Sequence, residues 1–332
     1  MKRLIWIGAA LLLAACGGGG GDSGSHPDQG PAGELCVSSS CGERVVLLDL
    51  PSAENQIFTP DGRLFVSSGS GLWEITKDAS GAYAKTSIVT TGLNGLAIIG
   101  DVLYATAGNG DFYAGHLSDV PEPQMTKIFT IEGMCIANGM VAGPDGNLYV
   151  VDEPLSPAPP NCVPPDPKVV RLNVDPADPM HILNQEVWIQ GSPAGLLAFG
   201  ADNVLRFPNG LQRKGNRFFG TDGGAIYYAD LQPDGSAGPV TMIYWEPTAH
   251  DDLGIAGDDL VVTDFFGGRI FLLSQDGQLL QETDRALFSF PSSTRIGRPP
   301  LFSSDEVVVT ETGVLTDNNL PLDHLSVFRR RN

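Results

Sequence analysis

The stretch Pro60-Asp61-Gly62-Arg63-Leu64-Phe65-Val66-Ser67 decides the fold because the chain repeats it. The phrase returns as Pro144-Asp145-Gly146-Asn147-Leu148-Tyr149-Val150-Val151, and shorter versions start at Gly100, Gly215 and Gly257. Each version combines a tight turn with a strand rich in aliphatic and aromatic residues. Further glycine-rich turns and short apolar runs follow, while helical spacing of apolar residues is scarce. The repeat therefore predicts an all-β chain.

Oxygen-bearing side chains stand at a constant place before these turns, where the preceding strand starts; we call these positions the heads. They lie eight residues before the turn glycine in the two long versions and six before it in the three short ones: Glu54 and Asn138, then Asn94, Asn209 and Asp251. A sixth unit, with its turn at 298–302 and its strand at 305–309, has no such residue. The spacings from head to head are 40, 44, 71, 42 and about 47 residues, and the longest interval contains a proline-rich insertion at 154–167.

Six units of this length, each with four strands, are typical of a six-bladed β-propeller around a central channel. We expect the propeller to span residues 44–328, followed by a basic tail at 329–332. A first strand at 44–50 precedes the first head and is expected to complete the last blade, which would close the ring without a free edge. A β-sandwich is the alternative, but it does not explain a repeat of this period.

The chain begins with an export signal. Met1-Lys2-Arg3 precedes an uncharged apolar run that is too short to span a membrane. The run ends in Leu13-Ala14-Ala15-Cys16, which resembles the lipobox of bacterial lipoproteins, so residues 1–15 are expected to be removed and Cys16 to be lipidated. An ordinary signal peptide with an incidental cysteine is the alternative. The Gly/Ser/Pro-rich residues that follow predict a flexible tether over 16–43.

This N-terminus places the protein in a bacterial cell envelope, anchored to the membrane by lipid. Residue Gly17 is not the aspartate that retains lipoproteins at the inner membrane in the enteric sorting system. By resemblance to that system, we expect the outer membrane, with the domain facing the periplasm or the surface.

Four cysteines remain after Cys16: Cys36, Cys41, Cys135 and Cys162. An even number in an exported chain favours disulfides. Proximity in sequence suggests Cys36–Cys41 and Cys135–Cys162, although four cysteines allow three pairings. A metal site built from cysteines is disfavoured, because no CxxC or Cys/His spacing occurs.

The chain is strongly acidic, with 39 Asp and Glu residues against 20 Lys and Arg residues. A nucleic-acid partner is therefore not expected, because neutralising phosphates requires a basic surface. The partners we expect are a small molecule and the membrane, the latter through the lipid anchor, and we expect the domain to be a monomer.

The heads predict a metal site. Because innermost strands run parallel around a propeller axis, residues at one offset should lie at one height, so Glu54, Asn94, Asn138, Asn209 and Asp251 should form a ring at the channel mouth. Carboxylate and amide oxygens suit a hard cation such as Ca²⁺, although another divalent cation fits too. Asn-Gly is also a strong turn former, so each asparagine taken alone reads as a turn residue.

The heads Glu54, Asn138, Asn209 and Asp251 resemble the metal ligands of the gluconolactonase, senescence-marker protein and luciferin-regenerating enzyme family. The doublets Glu54-Asn55 and Asp251-Asp252 are closer to the related paraoxonases. The resemblance implies a six-bladed propeller that hydrolyses lactones with one divalent cation. Sugar-lactone members often carry Arg two positions before the third-unit asparagine, where this chain has Ile136.

The function we predict is a divalent-cation-dependent hydrolase of lactones or related esters, whose metal polarises the carbonyl and activates water. By resemblance, Asp251 would serve as both ligand and general base. His250 is a second candidate base, but neighbouring side chains in a strand face opposite ways, so it is expected to point away. Asn55, Asn94 and Asp252 are expected beside the ligands or facing the substrate. The alternative is a non-catalytic, envelope-anchored propeller whose calcium is structural and which binds a protein or glycan.

Overall fold

The computed structural model describes residues 35–120, 122–154, 166–192, 203–313 and 323–331. The signal peptide, Cys16 and the first part of the tether lie outside these ranges, as do Cys162 and most of the proline-rich insertion. Within the described ranges, no helix is long and apolar enough to cross a membrane.

The described residues form six four-stranded antiparallel sheets, which confirms the predicted six-bladed β-propeller. Blades one to three contain β2 (Ala53–Phe58), β3 (Leu64–Ser68), β4 (Gly71–Lys77) and β5 (Tyr83–Val89); β6 (Leu96–Ile99), β7 (Val102–Thr106), β8 (Asp111–His116) and β9 (Thr126–Thr130); and β10 (Ala137–Ala142), β11 (Leu148–Asp152), β12 (Lys168–Asp175) and β13 (Asp178–Gln190). Blades four and five contain β14 (Pro208–Lys214), β15 (Arg217–Asp222), β16 (Ala225–Asp230) and β17 (Thr241–Trp245); and β18 (His250–Ala256), β19 (Asp259–Asp264), β20 (Arg269–Ser274) and β21 (Leu279–Glu282). Blade six contains β22 (Pro291–Ile296), β23 (Val307–Glu311), β24 (His324–Arg330) and the first strand of the chain, β1 (Gly42–Asp49).

The ring closes through β1, which pairs with β24 from Gly42 opposite Arg330 to Asp49 opposite His324. A strand from the start of the chain thus completes the last blade, as expected, and pairs with the outer side of β24. The propeller covers a longer residue range than the predicted 44–328, because β1 starts at Gly42 and β24 runs to Arg330.

The core lies between the blades. Second strands such as β3 and β11 are buried along their whole length, because neighbouring blades cover both of their faces. Between blades three and four, the Tyr149 ring lies 4.7 Å from that of Trp188 and 4.6 Å from that of Phe218. Fully buried aromatic groups of this size contribute roughly 1.5–3 kcal/mol each. The apolar runs of the repeat therefore build the contacts that hold adjacent blades together.

The sixth unit differs from the expectation. Its first strand is β22, so its head lies at Ser292, 41 residues after Asp251, and the segment 298–302 belongs to the connection between β22 and β23. The other units join these two strands through a short glycine turn, whereas this unit uses the longer segment 297–306. Counting back from the apolar run at 305–309 therefore predicted a head position that lies after the observed one at Ser292.

The end of the predicted tether is packed against the propeller. Cys36 and Cys41 form the expected disulfide, and the side chains of Cys36 and Val37 are buried in the cluster that contains Phe288 and Phe328. Cys135 is also disulfide-bonded, and its predicted partner lies outside the described residues.

Candidate functional site at the channel mouth

Four of the five heads lie in β-bulges. In blade one, Glu54 and Asn55 together stand opposite the single residue Ser67. Equivalent bulges contain Asn138-Gly139, Asn209-Gly210 and Asp251-Asp252. A bulge adds one residue, bends its strand and re-aims side chains, and bulges are common beside active sites. Asn138-Gly139 and Asn209-Gly210 are therefore bulges inside first strands and not turns between strands, whereas Asn94-Gly95 lies just before β6.

Glycine allows the bulges of neighbouring blades to approach closely. A Cβ on Gly210 would lie 2.5 Å from Asp252 Oδ1 and 2.6 Å from Asp252 Cα, closer than any side chain tolerates. The Asn-Gly pattern thus brings the heads of blades four and five together.

Hydroxyl groups on second strands fix the bulges in place. Thr221 Oγ1 accepts a hydrogen bond from the Gly210 N–H at 2.7 Å and donates one to the Asp251 carbonyl at 2.6 Å. Ser67 and Thr310 donate to the head carbonyls of the blades that follow theirs. Each of these hydroxyls joins two blades at the level of the heads, so the backbone that carries the site is rigidly positioned.

Carboxylates at the ends of second strands hold the segments that lead into the heads. Asp152 Oδ1 accepts hydrogen bonds from the backbone N–H groups of Cys135 at 2.6 Å and Ile136 at 3.1 Å. Asp222 does the same for Arg206 and Phe207 in blade four. These acids have a structural role, because they satisfy backbone donors of the segments that carry the heads.

Three carboxyl groups from three blades interact across the channel mouth. Burial, the negative charge of Glu153, and that of Asp252 raise the pKa of Glu54 to about 8. Burial, followed by the charge of Asp152, raises the pKa of Glu153 to about 7. Burial and the charges of Glu54 and Glu153 raise the pKa of Asp251 well above its usual value. Among the described residues, no cationic side chain forms an ion pair with any of these three groups.

Two head amides bind these carboxyls. Asn138 Nδ2 donates to Glu153 Oε2 at 2.9 Å, and its hydrogen bonding lowers the pKa of both Glu54 and Glu153, although by less than burial raises them. Asn209 Nδ2 donates to Asp251 Oδ1 at 2.5 Å. Each amide also carries an acceptor oxygen, so Asn138 and Asn209 contribute neutral oxygens among the carboxyls.

The neighbouring acid, Asp252, has a cationic partner. Arg295 Nη1 donates to Asp252 Oδ2 at 2.8 Å, and Arg295 Nη2 donates to Asn55 Oδ1 at 3.0 Å. Ser293 Oγ also donates to Asp252 Oδ2 at 2.8 Å. Asp252 Oδ1 is buried without a hydrogen-bond partner among the described residues. Arg295 thus braces the channel wall where blades five, six and one meet, and it holds Asn55 as part of that wall.

Two other predicted residues lie outside this group. Asn94 Nδ2 donates to the Ala137 carbonyl at 3.0 Å, which ties the head of blade two to blade three. The His250 side chain is buried inside blade five, with its ring 5.3 Å from Phe271 and 6.1 Å from Tyr244. Burial lowers the pKa of His250 to about 4. In this position the ring packs against the blade core and not against the carboxyls.

Glu153 is the site residue that the repeat did not reveal. It follows β11 directly, and the end of a second strand lies beside the start of the first strand, which is the head. The sequence signal was the acidic pair Asp152-Glu153 just before the proline-rich insertion. In the other units the residue after the second strand is not acidic, so a search for repeated positions passes over it.

The side chains at the channel mouth have the chemistry that a hard cation requires. Their donors are carboxylate and amide oxygens, and three of the acids lack a positive partner among the described residues. In the same part of the chain, no three His, Cys, Asp or Glu side chains lie close enough to hold a metal ion by themselves. The amide oxygens of Asn138 and Asn209 would have to complete the coordination.

Solved structures share this architecture. A gluconolactonase-family protein matches with a TM-score of 0.63 at 17% identity, over 89% of this chain and 94% of its own. The chain has the fold of the gluconolactonase-like propellers. A luciferin-regenerating enzyme matches with a TM-score of 0.63 at 15% identity, over 86% of this chain and 94% of its own.

A calcium-binding regucalcin from Agrobacterium tumefaciens matches with a TM-score of 0.61 at 13% identity, over 87% of this chain and 93% of its own. No protein-family model and no curated protein sequence matches the chain. At these identities the likeness is one of fold, and the function must be argued from the site.

Proposed function

We propose that the protein is a divalent-cation-dependent hydrolase of lactones or related esters, acting at the propeller mouth. The observation that supports this most is the uncompensated cluster of Glu54, Glu153 and Asp251. Burial raises the pKa of all three carboxyl groups, the charge of Glu153 adds to the rise at Glu54, and the charges of Glu54 and Glu153 add to the rise at Asp251. Their ionised forms therefore carry an electrostatic cost, which a bound cation would relieve. Such a cost is typical of functional sites.

The chain supplies the ligands from four blades. Glu54, Asn138, Asn209 and Asp251 would hold the cation, and Ca²⁺ suits this mixture of carboxylate and amide oxygens. When bound, the cation would polarise the substrate carbonyl and lower the pKa of the surrounding carboxyls. The calcium-binding regucalcin with the same fold is consistent with this choice.

In this proposal, two carboxyl groups would move the protons. Asp251 Oδ1 is held by Asn209, which leaves Oδ2 to take the proton of the attacking water. Glu153 Oε2 is held by Asn138, and burial raises the pKa of the group in the metal-free protein. We infer that Glu153, starting in its protonated form, donates a hydrogen bond from Oε1 to the leaving oxygen of the ester. It gives its proton to that oxygen when the C–O bond breaks, while Asp251 holds the proton taken from water.

A panel of lactones and aryl esters tests this function on the chain from Gly17 onward. Hydrolysis should disappear with a chelator and return with Ca²⁺. Asp251→Ala should lower kcat by about 100-fold or more, because a positioned general base contributes roughly 10²–10⁴-fold. The control is Asp258→Asn, which removes an exposed carboxylate at the far end of β18 and should leave the rate unchanged.

The alternative function is a non-catalytic propeller whose cation braces the channel and which binds a protein or glycan of the envelope. This alternative rests on the same carboxyl cluster, but it predicts that no lactone or aryl ester of the panel is hydrolysed. If no substrate is turned over while Ca²⁺ still raises the Tm, the hydrolase proposal fails and this alternative takes its place.

We further propose that lipid on Cys16 anchors a monomeric domain to the envelope, at the outer membrane. The sequence of the export signal supports this proposal. Cys16→Ser should release the protein from the membrane fraction, and mass spectrometry of the wild-type N-terminus should find acyl chains. A wild-type N-terminus without acyl groups would contradict the proposal.

A further inference from the structure

Three phenylalanines form a partly exposed aromatic cluster at the same mouth. The Phe265 ring lies 5.3 Å from that of Phe266 and 5.1 Å from that of Phe290, and Phe266 is 65% exposed. Most large apolar side chains in this propeller are buried between blades. Exposed aromatic clusters of this kind commonly mark binding surfaces.

The chain places this cluster beside the heads of blades five and six. Phe265 follows β19, and its N–H donates to the Ala249 carbonyl at 2.9 Å, two residues before Asp251. Phe290 precedes β22 and stands two residues before the head Ser292. The cluster therefore forms part of the rim of the carboxyl site.

The backbone that carries the cluster is held in place at some cost. Phe290 has a φ of 53°, a left-handed conformation that is unusual for a residue with a large side chain. Its carbonyl accepts a hydrogen bond from the Thr312 N–H at 3.0 Å. Strained residues that persist in this way concentrate at binding and active sites.

A buried ionic network fixes the loop that carries Phe265 and Phe266. Asp264 Oδ1 accepts a hydrogen bond from the Gly267 N–H at 2.8 Å, and Asp264 Oδ2 accepts from Arg269 Nε at 2.9 Å. Arg285 Nη1 lies 3.2 Å from the same oxygen. The rings are thus presented by a rigid loop, so little order would have to be gained when a ligand binds.

We infer that Phe265, Phe266 and Phe290 form a specificity subsite for the apolar part of the substrate. The site would then take lactones or esters with an alkyl or aryl substituent in preference to polyhydroxylated sugar lactones. This inference rests on the proposed function and names the substrate class of the same site. Its physical basis is the apolar surface that the three rings present next to the acids.

The first test compares δ-valerolactone with a δ-lactone that carries a heptyl chain. The wild type should have the higher kcat/KM for the heptyl lactone. Phe266→Ser should lower kcat/KM for the heptyl lactone about ten-fold and leave kcat/KM for δ-valerolactone unchanged. Phe290→Gly should act in the same direction, and it should fold well because glycine tolerates the left-handed conformation. Leu183→Ser is the control, since Leu183 is a similarly exposed apolar residue, 52% exposed, on the outer strand of blade three.

Equal losses on both lactones in Phe266→Ser, or no loss on either, would overturn the inference. A second measurement does not need catalysis: calorimetric binding of the heptyl δ-lactam, which resists hydrolysis, to wild type and Phe266→Ser. If the wild type hydrolyses neither lactone, the proposed function fails. Weaker lactam binding in Phe266→Ser still supports the aromatic subsite, whereas equal or absent binding refutes it.

Discussion

Removing one carboxyl from the cluster should change how the stability of the metal-free protein depends on pH. Glu54 ionises near pH 4.5 in the unfolded chain and near pH 8 in the fold. The unfolded state therefore binds fewer protons between these values, and stability falls as pH rises through this window. The penalty is absent below pH 4.5, grows up to pH 8 and is complete above it.

The size of the effect follows from the pKa shift. At about 1.4 kcal/mol per unit, the rise in the pKa of Glu54 corresponds to on the order of 5 kcal/mol against the ionised form. For a domain of this size, that amounts to roughly 10 °C in Tm. Glu54→Gln keeps the shape of the side chain and removes the charge. It should also lower the pKa of Asp251, because Glu54 is one of the charges that raise it.

The assay is thermal unfolding in chelator from pH 5 to pH 9. Wild-type Tm should fall across this range, and Glu54→Gln should show a clearly shallower fall and a higher Tm at pH 8. Added Ca²⁺ should stabilise wild type more at pH 8 than at pH 5, since the ligands must lose their protons, and it should stabilise Glu54→Gln less. Glu43→Gln, which removes an exposed carboxylate from β1, is the control for net charge.

A metal-free wild-type Tm that is flat or rises between pH 5 and pH 9 would show that the ionised cluster does not destabilise the fold. Equal pH profiles of Glu54→Gln and Glu43→Gln would show that the penalty does not arise from the buried cluster.

Three further predictions concern the supports of the site and the N-terminal segment. Thr221→Val should destabilise the fold by about 1–3 kcal/mol in urea unfolding and weaken Ca²⁺ binding, because it leaves the Gly210 N–H and the Asp251 carbonyl without their partner; unchanged values of both would show that the hydroxyl does not hold the bulge. Arg295→Met should lower the free energy of unfolding by about 3–5 kcal/mol, since it leaves the Asp252 carboxylate buried without a positive partner. Combining Arg295→Met with Asp252→Asn should recover part of this loss. A double variant no more stable than Arg295→Met would contradict this pairing. Replacing Cys36 and Cys41 by serine should lower the free energy of unfolding by about 2 kcal/mol, because the loop that the disulfide closes is short. Reductant should lower the Tm of wild type more than that of the variant, because the variant has already lost this bond.

The period of the repeat was enough to predict the fold. Turn glycines and alternating apolar runs are local signals, and their spacing specifies how many blades form and where each first strand starts. The same local reading identified Glu54, Asn138, Asn209 and Asp251 as equivalent positions. For the sixth head it was wrong, because the longer connection at 297–306 hides the start of β22.

The tertiary structure decided which side chains meet across the channel. Glu153 faces Glu54 and Asp251, although 99 and 98 residues separate it from them in the chain, and no repeated pattern marks it. Asp252 and Arg295 form a pair in the same way, across the boundary between blades five and six. Such contacts depend on the closure of the ring, which brings distant blades to one axis. The sequence therefore determined the positions that repeat, and the folded ring decided which of the unrepeated acids and bases share the site with them.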